Sequence, residues 1–159
     1  MEELTAELLH SLFRYEDGKL FRKVNSRKAK AGAEAGFKSG RYMRVRVKGK
    51  QYQLHRIIFM MHKGYMPEIV DHINGDAFDN RIENLREATQ SQNCMNRRLR
   101  SDNKLGIPNV YQKSPTRFAV NISVGGKNKH IGYFGNLELA ELVAQEARNK
   151  YHKEFAYNG

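Results

Sequence analysis

The stretch that decides how this chain is read is Val70-Asp71-His72-Ile73-Asn74-Gly75-Asp76, followed by Asp79-Asn80-Arg81-Ile82-Glu83-Asn84-Leu85-Arg86 and Gln92-Asn93-Cys94-Met95-Asn96-Arg97. An Asp and a His adjacent at a strand end point in different directions, because side chains alternate along a strand. One can hold a metal while the other handles a proton. Cutting a phosphodiester needs both jobs: a cation to neutralise charge on the phosphate, and a base to take a proton from water. A neutral imidazole suits the second job near pH 7. The same letters fit a plain polar surface loop, since Asx and Gly populate turns generally. A calcium loop fails on spacing. Counted from Asp71, the third position is Ile73 and the glycine, Gly75, comes one place early.

Outward from this stretch, the chain reads as alternating short elements. Leu4–Phe13 has the pattern of a short amphipathic helix. Phe13-Arg14-Tyr15 and Leu20-Phe21-Arg22 flank Glu16-Asp17-Gly18-Lys19, a hairpin signal. Residues 25–38 are basic and rich in Ala and Gly, and read as a loop. Tyr42–Val47 and Gln51–Leu54 form a second hairpin around Lys48-Gly49-Lys50, with Arg41, Arg44 and Arg46 along it. Leu54, Ile57, Ile58, Met61 and Tyr65 have helical spacing, with Gly64 as a stop. Pro67–Asp71 and Leu85–Ala88 are expected as short strands around a polar loop, and Thr89 as the cap of a helix to about Arg98.

Beyond Ser101–Lys104 the pattern changes. Val110–Gln112, Phe118–Val124 and His130–Phe134 read as three strands. Leu137–Tyr151 reads as an alanine-rich helix with Leu139, Val143, Ala147 and Tyr151 on its packed side. In the central strand Phe118, Val120, Ile122 and Val124 should face that helix. Arg117, Ala119, Asn121 and Ser123 should form an open polar face.

The whole chain has 159 residues, 28 Lys plus Arg against 17 Asp plus Glu, and a formal net charge of +11. That balance points to a polyanionic partner, and nucleic acid is the commonest. The one cysteine, Cys94, excludes an internal disulfide and any zinc site of paired cysteines, and fits a reducing cytosol. The longest apolar run, Ile57–Met61, is too short to cross a membrane. Residues 1–9 carry three acids and no basic start, unlike a signal peptide.

Taken together, His55-Arg56, DHINGD, DNRIENLR and QNCMNRR resemble the HNH nucleases, in the branch of phage-encoded and homing endonucleases. The resemblance spans roughly residues 40–98. It implies a ββα-metal fold that clasps one divalent ion. By matching position, His72 is the catalytic histidine and Asp71 the metal-binding carboxylate. Asn84 is the central Asn that ties the loop and orients the histidine. Asn93 is the second metal ligand, where many relatives have His. An Asp-plus-Asn set favours Mg²⁺ or Mn²⁺ over zinc. His55, Arg56, Arg97 and Arg98 are candidate DNA contacts. A helix-start histidine and a solvated helix end are the plainer readings of these positions.

Residues 106–159 resemble the AP2 DNA-binding domain. The resemblance rests on GIPNVY, RFAVNI, IGYF, Ala140–Ala147 and Glu154-Phe155-Ala156, although the tryptophans and several groove-facing arginines of the plant pattern are missing. It implies DNA contacts from Tyr111, Lys113, Arg117, Asn121, Ser123, Asn128 and His130. Asn121 would read adenine and Arg117 guanine by bidentate pairing, or Arg117, Lys127 and Lys129 would meet phosphate alone.

The expectation is therefore an α+β protein in two parts. A nuclease domain, 1–100 with its core at about 54–98, carries N-terminal β-hairpins. A linker, 101–105, leads to an AP2-like domain, 106–159, of a three-stranded sheet and one helix. The expected function is a metal-dependent DNA endonuclease of the homing or free-standing nicking kind. It uses one Mg²⁺ or Mn²⁺ per site on double-stranded DNA, as a monomer or homodimer, in the cytoplasm of the host cell if phage-encoded. The rivals are a non-catalytic DNA-binding regulator and an RNA-directed nuclease. The latter is disfavoured because the sheet shows no paired aromatic platform in the sequence.

Overall fold

The computed structural model describes residues 4–26, 29–96 and 103–156, apart from the side chain of Glu154. Arg97, Arg98 and the expected end of the helix after Thr89 lie outside them, as do Ser101 and Asp102 of the expected linker. The architecture is mixed α+β, with small antiparallel sheets and four α-helices among the described residues. The chain divides into two compact units, Met1–Ala88 and Thr89–Gly159.

In the first unit, α1 (Ala6–Leu12) is capped by the Thr5 hydroxyl, which accepts from Leu8 N–H. It leads directly into the hairpin β1 (Phe13–Glu16) and β2 (Lys19–Arg22). The turn residues Asp17 and Gly18 both have positive φ, 44° and 80°. That is the primed turn whose twist matches paired strands. The strands β5 (Tyr42–Val47) and β6 (Lys50–Gln53) repeat the device, with Lys48 at 47° and Gly49 at 83°.

Residues 25–38, expected as a loop, contain two short strands. β3 (Glu34–Ala35) joins the sheet β1-β2-β3, and β4 (Phe37–Ser39) joins the sheet β4-β5-β6. Local propensity is poor here. The ladder bonds come from partners already in place, with Ala35 opposite Leu20 and Phe37 opposite Arg44. Gly36, at φ +148°, makes the corner that passes the chain from one sheet to the next.

The centre of this unit is α2 (Leu54–Lys63). It ends at Gly64, left-handed at φ 81°, whose N–H returns to the Met60 carbonyl. The expected stripe Leu54, Ile57, Ile58 and Met61 is buried, and so are His55, Phe59 and Met60. Tyr65, expected in the stripe, is 49% exposed. It lies beyond the helix, with its hydroxyl on Glu87 at 2.6 Å. More of α2 is buried than one stripe because α1, both flanking sheets and the β7–β8 hairpin pack around it. Each fully buried Ile or Leu there contributes about 1.5–3 kcal/mol. β7 (Ile69–His72) pairs with β8 (Leu85–Ala88), with Asp71 opposite Arg86 and His72 opposite Leu85.

The second unit begins with α3 (Gln90–Met95). Thr89 caps it in a full capping box with Gln92. β9 (Val110–Ser114), β10 (Arg117–Val124) and β11 (Lys127–Phe134) form a sheet with β10 in the middle, and α4 (Leu137–His152) packs on one face. Phe118, Val120 and Ile122 are buried as expected, and Val124 is half-buried. The packed side of α4 differs from the expected one. It consists of Ala140, Ala144 and Ala147, with Arg148 and His152, while Leu139 is 48% exposed. Small side chains let the helix lie close to the sheet, whose large residues fill the space between.

Gly18 also ties the first hairpin to the rest of the unit. A Cβ on Gly18 would lie 2.9 Å from Arg81 N and 3.1 Å from Asn80 C, and neither backbone atom can swing aside. Beside it, the Tyr15 hydroxyl accepts from Ile82 N–H at 3.0 Å. Replacing Gly18 with Ala combines positive-φ strain of ~1 kcal/mol with this contact. We expect a loss of about 2 kcal/mol or more, read from urea unfolding. A loss no greater than that of Gly49→Ala, where nothing lies within 4 Å, would show that the contact costs nothing.

Candidate active site

Asp71 and His72 end β7 and are both 6% exposed. They point to opposite faces of the strand. The Asp71 carboxylate is held by its cross-strand neighbour: Arg86 Nε and Nη2 both donate to Oδ2, at 3.0 Å each. Two bonds from one fork fix the carboxylate plane.

His72 is held differently. Its Nε2 lies 3.1 Å from Asn80 Oδ1, and the Asn80 amide nitrogen donates to the Phe78 carbonyl at 3.2 Å. The second bond settles which end of the amide faces the ring. An oxygen facing Nε2 requires Nε2 to carry the hydrogen, so the lone pair of the neutral ring sits on Nδ1. Burial pushes the His72 pKa below its ordinary value of 6.5. The bond to Asn80 and the carboxylates of Asp71, Asp76 and Asp79 push partly back. At neutral pH the ring is therefore an uncharged base of defined tautomer. Asn80, 3% exposed, was not singled out from the sequence. Only the folded loop brings it back to the ring eight residues before it.

The loop between the two strands is tied by side-chain amides. Asn84 Oδ1 accepts from Asn74 N–H at 3.0 Å, and its Nδ2 donates to Asn74 Oδ1 and to the Asp79 carbonyl. Asp79 accepts from Arg81 Nε and Nη2 at 2.8 Å each, and from Asn74 Nδ2 at 2.9 Å. The Arg81 bonds hold the Asp79 carboxyl down at about 2.

His55, expected as a DNA contact or a support of the site, is 3% exposed. Its ring meets His72 edge-on at 4.7 Å between centroids, and Tyr42 at 5.4 Å. Its Nδ1 is buried without a hydrogen-bond partner. Arg56 donates to the Glu68 and Pro67 carbonyls at 2.7 and 2.9 Å, clamping the entry to β7. As placed, neither side chain is turned outward toward a phosphate. Asn93 is half-buried on α3, in the second unit. Cys94, expected as a small core residue, is exposed.

On the outer sheet face of the second unit, Tyr111, Lys113, Arg117, Ser123, Asn128 and His130 are exposed and Asn121 is half-buried. Asn121 Oδ1 is 2.7 Å from His130 Nδ1. The Arg117 guanidinium lies over the Tyr133 ring, 4.0 Å from its centre. Lys129 is on the helix side instead, donating to the Tyr151 hydroxyl at 2.9 Å.

Residues 52–95 match the HNH endonuclease family profile. The matched segment runs from β6 through α2, β7 and β8 to α3, just over a quarter of the chain. It contains His55, Asp71, His72, Asn80, Asn84 and Asn93. The match supports a nuclease function acting on DNA, and the β7–β8 hairpin fits a ββα-metal core. No curated protein and no solved structure matches the chain significantly.

The buried HNH-segment histidines make stability sensitive to acid. Burial, then the neighbouring His72 and Arg56, push His55 from 6.5 down to about 3. Folded His55 therefore stays neutral where the unfolded chain is already protonated. Its contribution is whole above pH 6.5 and is lost as pH falls from there toward 3. At about 1.4 kcal/mol per pH unit, the loss at pH 5 is ~2 kcal/mol. Urea midpoints from pH 7 to 4 should show it, and His55→Gln should flatten the slope. An equal slope in both proteins would assign the acid sensitivity elsewhere.

Proposed function

We propose that this chain is a divalent-metal-dependent DNA endonuclease in which His72 is the general base. The observation that carries the reading is the buried, neutral His72 held by Asn80, with Asp71 on the adjacent position of the same strand. Nδ1 of His72 takes a proton from water as the water oxygen attacks phosphorus and a phosphorus–oxygen bond breaks. Arg86 keeps the Asp71 carboxylate in a fixed plane, and Asn84 holds the loop that carries Asn80.

The donor chemistry suits a hard cation: a carboxylate from Asp71 and, by the sequence pattern alone, an amide oxygen from Asn93. Among the described residues no group of three or more His, Cys, Asp or Glu gathers as a metal cage. Such a sparse set suits Mg²⁺ or Mn²⁺, which keep waters and take phosphate oxygens. When bound, the ion neutralises charge on the phosphate and leaving oxygen.

The second unit is read as an AP2-like DNA-binding module that adds affinity to the nuclease unit. Two linked weak sites raise effective concentration without new contacts. The substrate is double-stranded DNA, and one active site per chain implies a nick from a monomer. The proposed setting is a homing or free-standing phage nuclease in the host cytoplasm.

Supercoiled plasmid incubated with Mg²⁺ should become nicked or linear, and EDTA should abolish this. His72→Ala should bind DNA without cutting it. Cleavage should fall on acidification, with its midpoint below pH 6.5, because the active form of His72 is the neutral one. If wild type binds DNA and cuts none, the chain is a DNA-binding regulator and the enzyme reading fails.

Asn80→Ala leaves the ring free to take the other tautomer. Cleavage should drop about 10- to 100-fold, part of the ~10²–10⁴ that a positioned base supplies. Unchanged cleavage at pH 7 would remove Asn80 from the machinery.

A further inference from the structure

The outer face of the β9–β10–β11 sheet holds a row that the sequence does not display. Ala119 on the central strand pairs with Tyr111 on one side and Tyr133 on the other. Directly paired residues of antiparallel strands project to the same face, so the two tyrosines stand abreast across one alanine. They are 49% and 52% exposed, among the most exposed large apolar side chains of the second unit. Ala119 between them is 1% exposed although it faces away from α4. Phe118 and Val120 take the opposite face, against the helix.

The charges of this unit are divided. Residues 103–136 hold five Lys or Arg and no Asp or Glu. The four acids of residues 103–156 all come after Leu137. The strands and their turns are thus uniformly basic, and a polyanion is the complementary partner.

The polar ends on this face are poorly placed to read base edges. A bidentate contact to adenine needs both ends of an amide, but the Asn121 oxygen is already bonded to His130. Bidentate recognition of guanine needs the Arg117 fork extended, but it lies over the Tyr133 ring. What the face does offer is planes: two rings and a guanidinium already stacked on one of them. Aromatic and guanidinium planes are what unpaired bases stack on.

Spacing points the same way. Tyr111 and Tyr133 are two inter-strand steps apart, about 9.5 Å at the backbone. Successive bases in a duplex strand are separated by about 3.4 Å. A strand that seats bases on both tyrosines must be unstacked, and hence unpaired.

We propose that this sheet face binds single-stranded DNA, with bases stacking on Tyr111 and on the Tyr133–Arg117 pair while the basic strands and turns meet the phosphates. The proposal rests on the reading of the second unit as DNA-binding and specifies the form of DNA it takes. It reverses the expectation that the face lacks paired aromatics.

The test uses the full chain in EDTA and labelled DNA of about 20 nucleotides, longer than the site of a single such module. The same strand is presented alone and annealed to its complement. Tyr111→Ala/Tyr133→Ala should weaken single-strand binding by about tenfold or more, within the range of stacking losses, and leave duplex binding unchanged. Tyr111→Phe/Tyr133→Phe should bind like wild type. The chain has no tryptophan, so its tyrosine emission is readable. It should be quenched by the single strand in wild type and less so in the Phe pair. Equal weakening on single strand and duplex would overturn the stacking inference and leave the DNA-binding reading intact. No weakening on either would overturn both. Tighter binding of the matching RNA strand would overturn the assignment to DNA.

Discussion

The bond from Asn80 Oδ1 to His72 Nε2 is the interaction on which the chemistry of the first unit depends. One hydrogen bond fixes which nitrogen of a buried ring carries the proton, and so which atom can act as a base. It works only if Asn80 is itself fixed. That demand passes to the loop, through the bonds of Asn84 and the Asp79–Arg81 pair. It then passes to the first hairpin, where Gly18 and Tyr15 press on the backbone at Asn80, Arg81 and Ile82. An N-terminal hairpin with no chemical motif of its own thus acts as a brace for the loop that orients the histidine.

The HNH segment is built against a helix that is polar where it must be and buried where it is not usual. His55 is enclosed among apolar side chains of α2 and lies edge-on to His72. Two neutral imidazoles side by side are stable only while both remain neutral. The same burial that keeps His72 a base at pH 7 therefore makes this part of the fold intolerant of acid.

How much was legible in the sequence depended on how far the deciding contact lay along the chain. The Asp17-Gly18 and Lys48-Gly49 turns, α2 with its Gly64 stop, β8 and the Thr89 cap are local signals and were read correctly. β3 and β4 were missed because their bonds are supplied by distant strands. The packed side of α4 was misassigned because alanines lie against a sheet whose bulk decides the fit, and hydrophobicity favoured Leu139. Asn80 escaped notice because Asx residues crowd that loop and only the fold distinguishes the one that reaches the ring. Tyr111 and Tyr133 are separated in sequence, and strand register alone makes them neighbours.

The division of charge in the second unit has a further consequence. With positive groups gathered on its strands and turns and the acids confined to its last segment, the unit behaves in a field as an oriented dipole. A polyanion draws in the strands and repels the far end, so the encounter turns the unit before any contact forms. Because the torque acts over roughly one Debye length, ~8–10 Å at physiological salt, added salt would randomise the angle of approach.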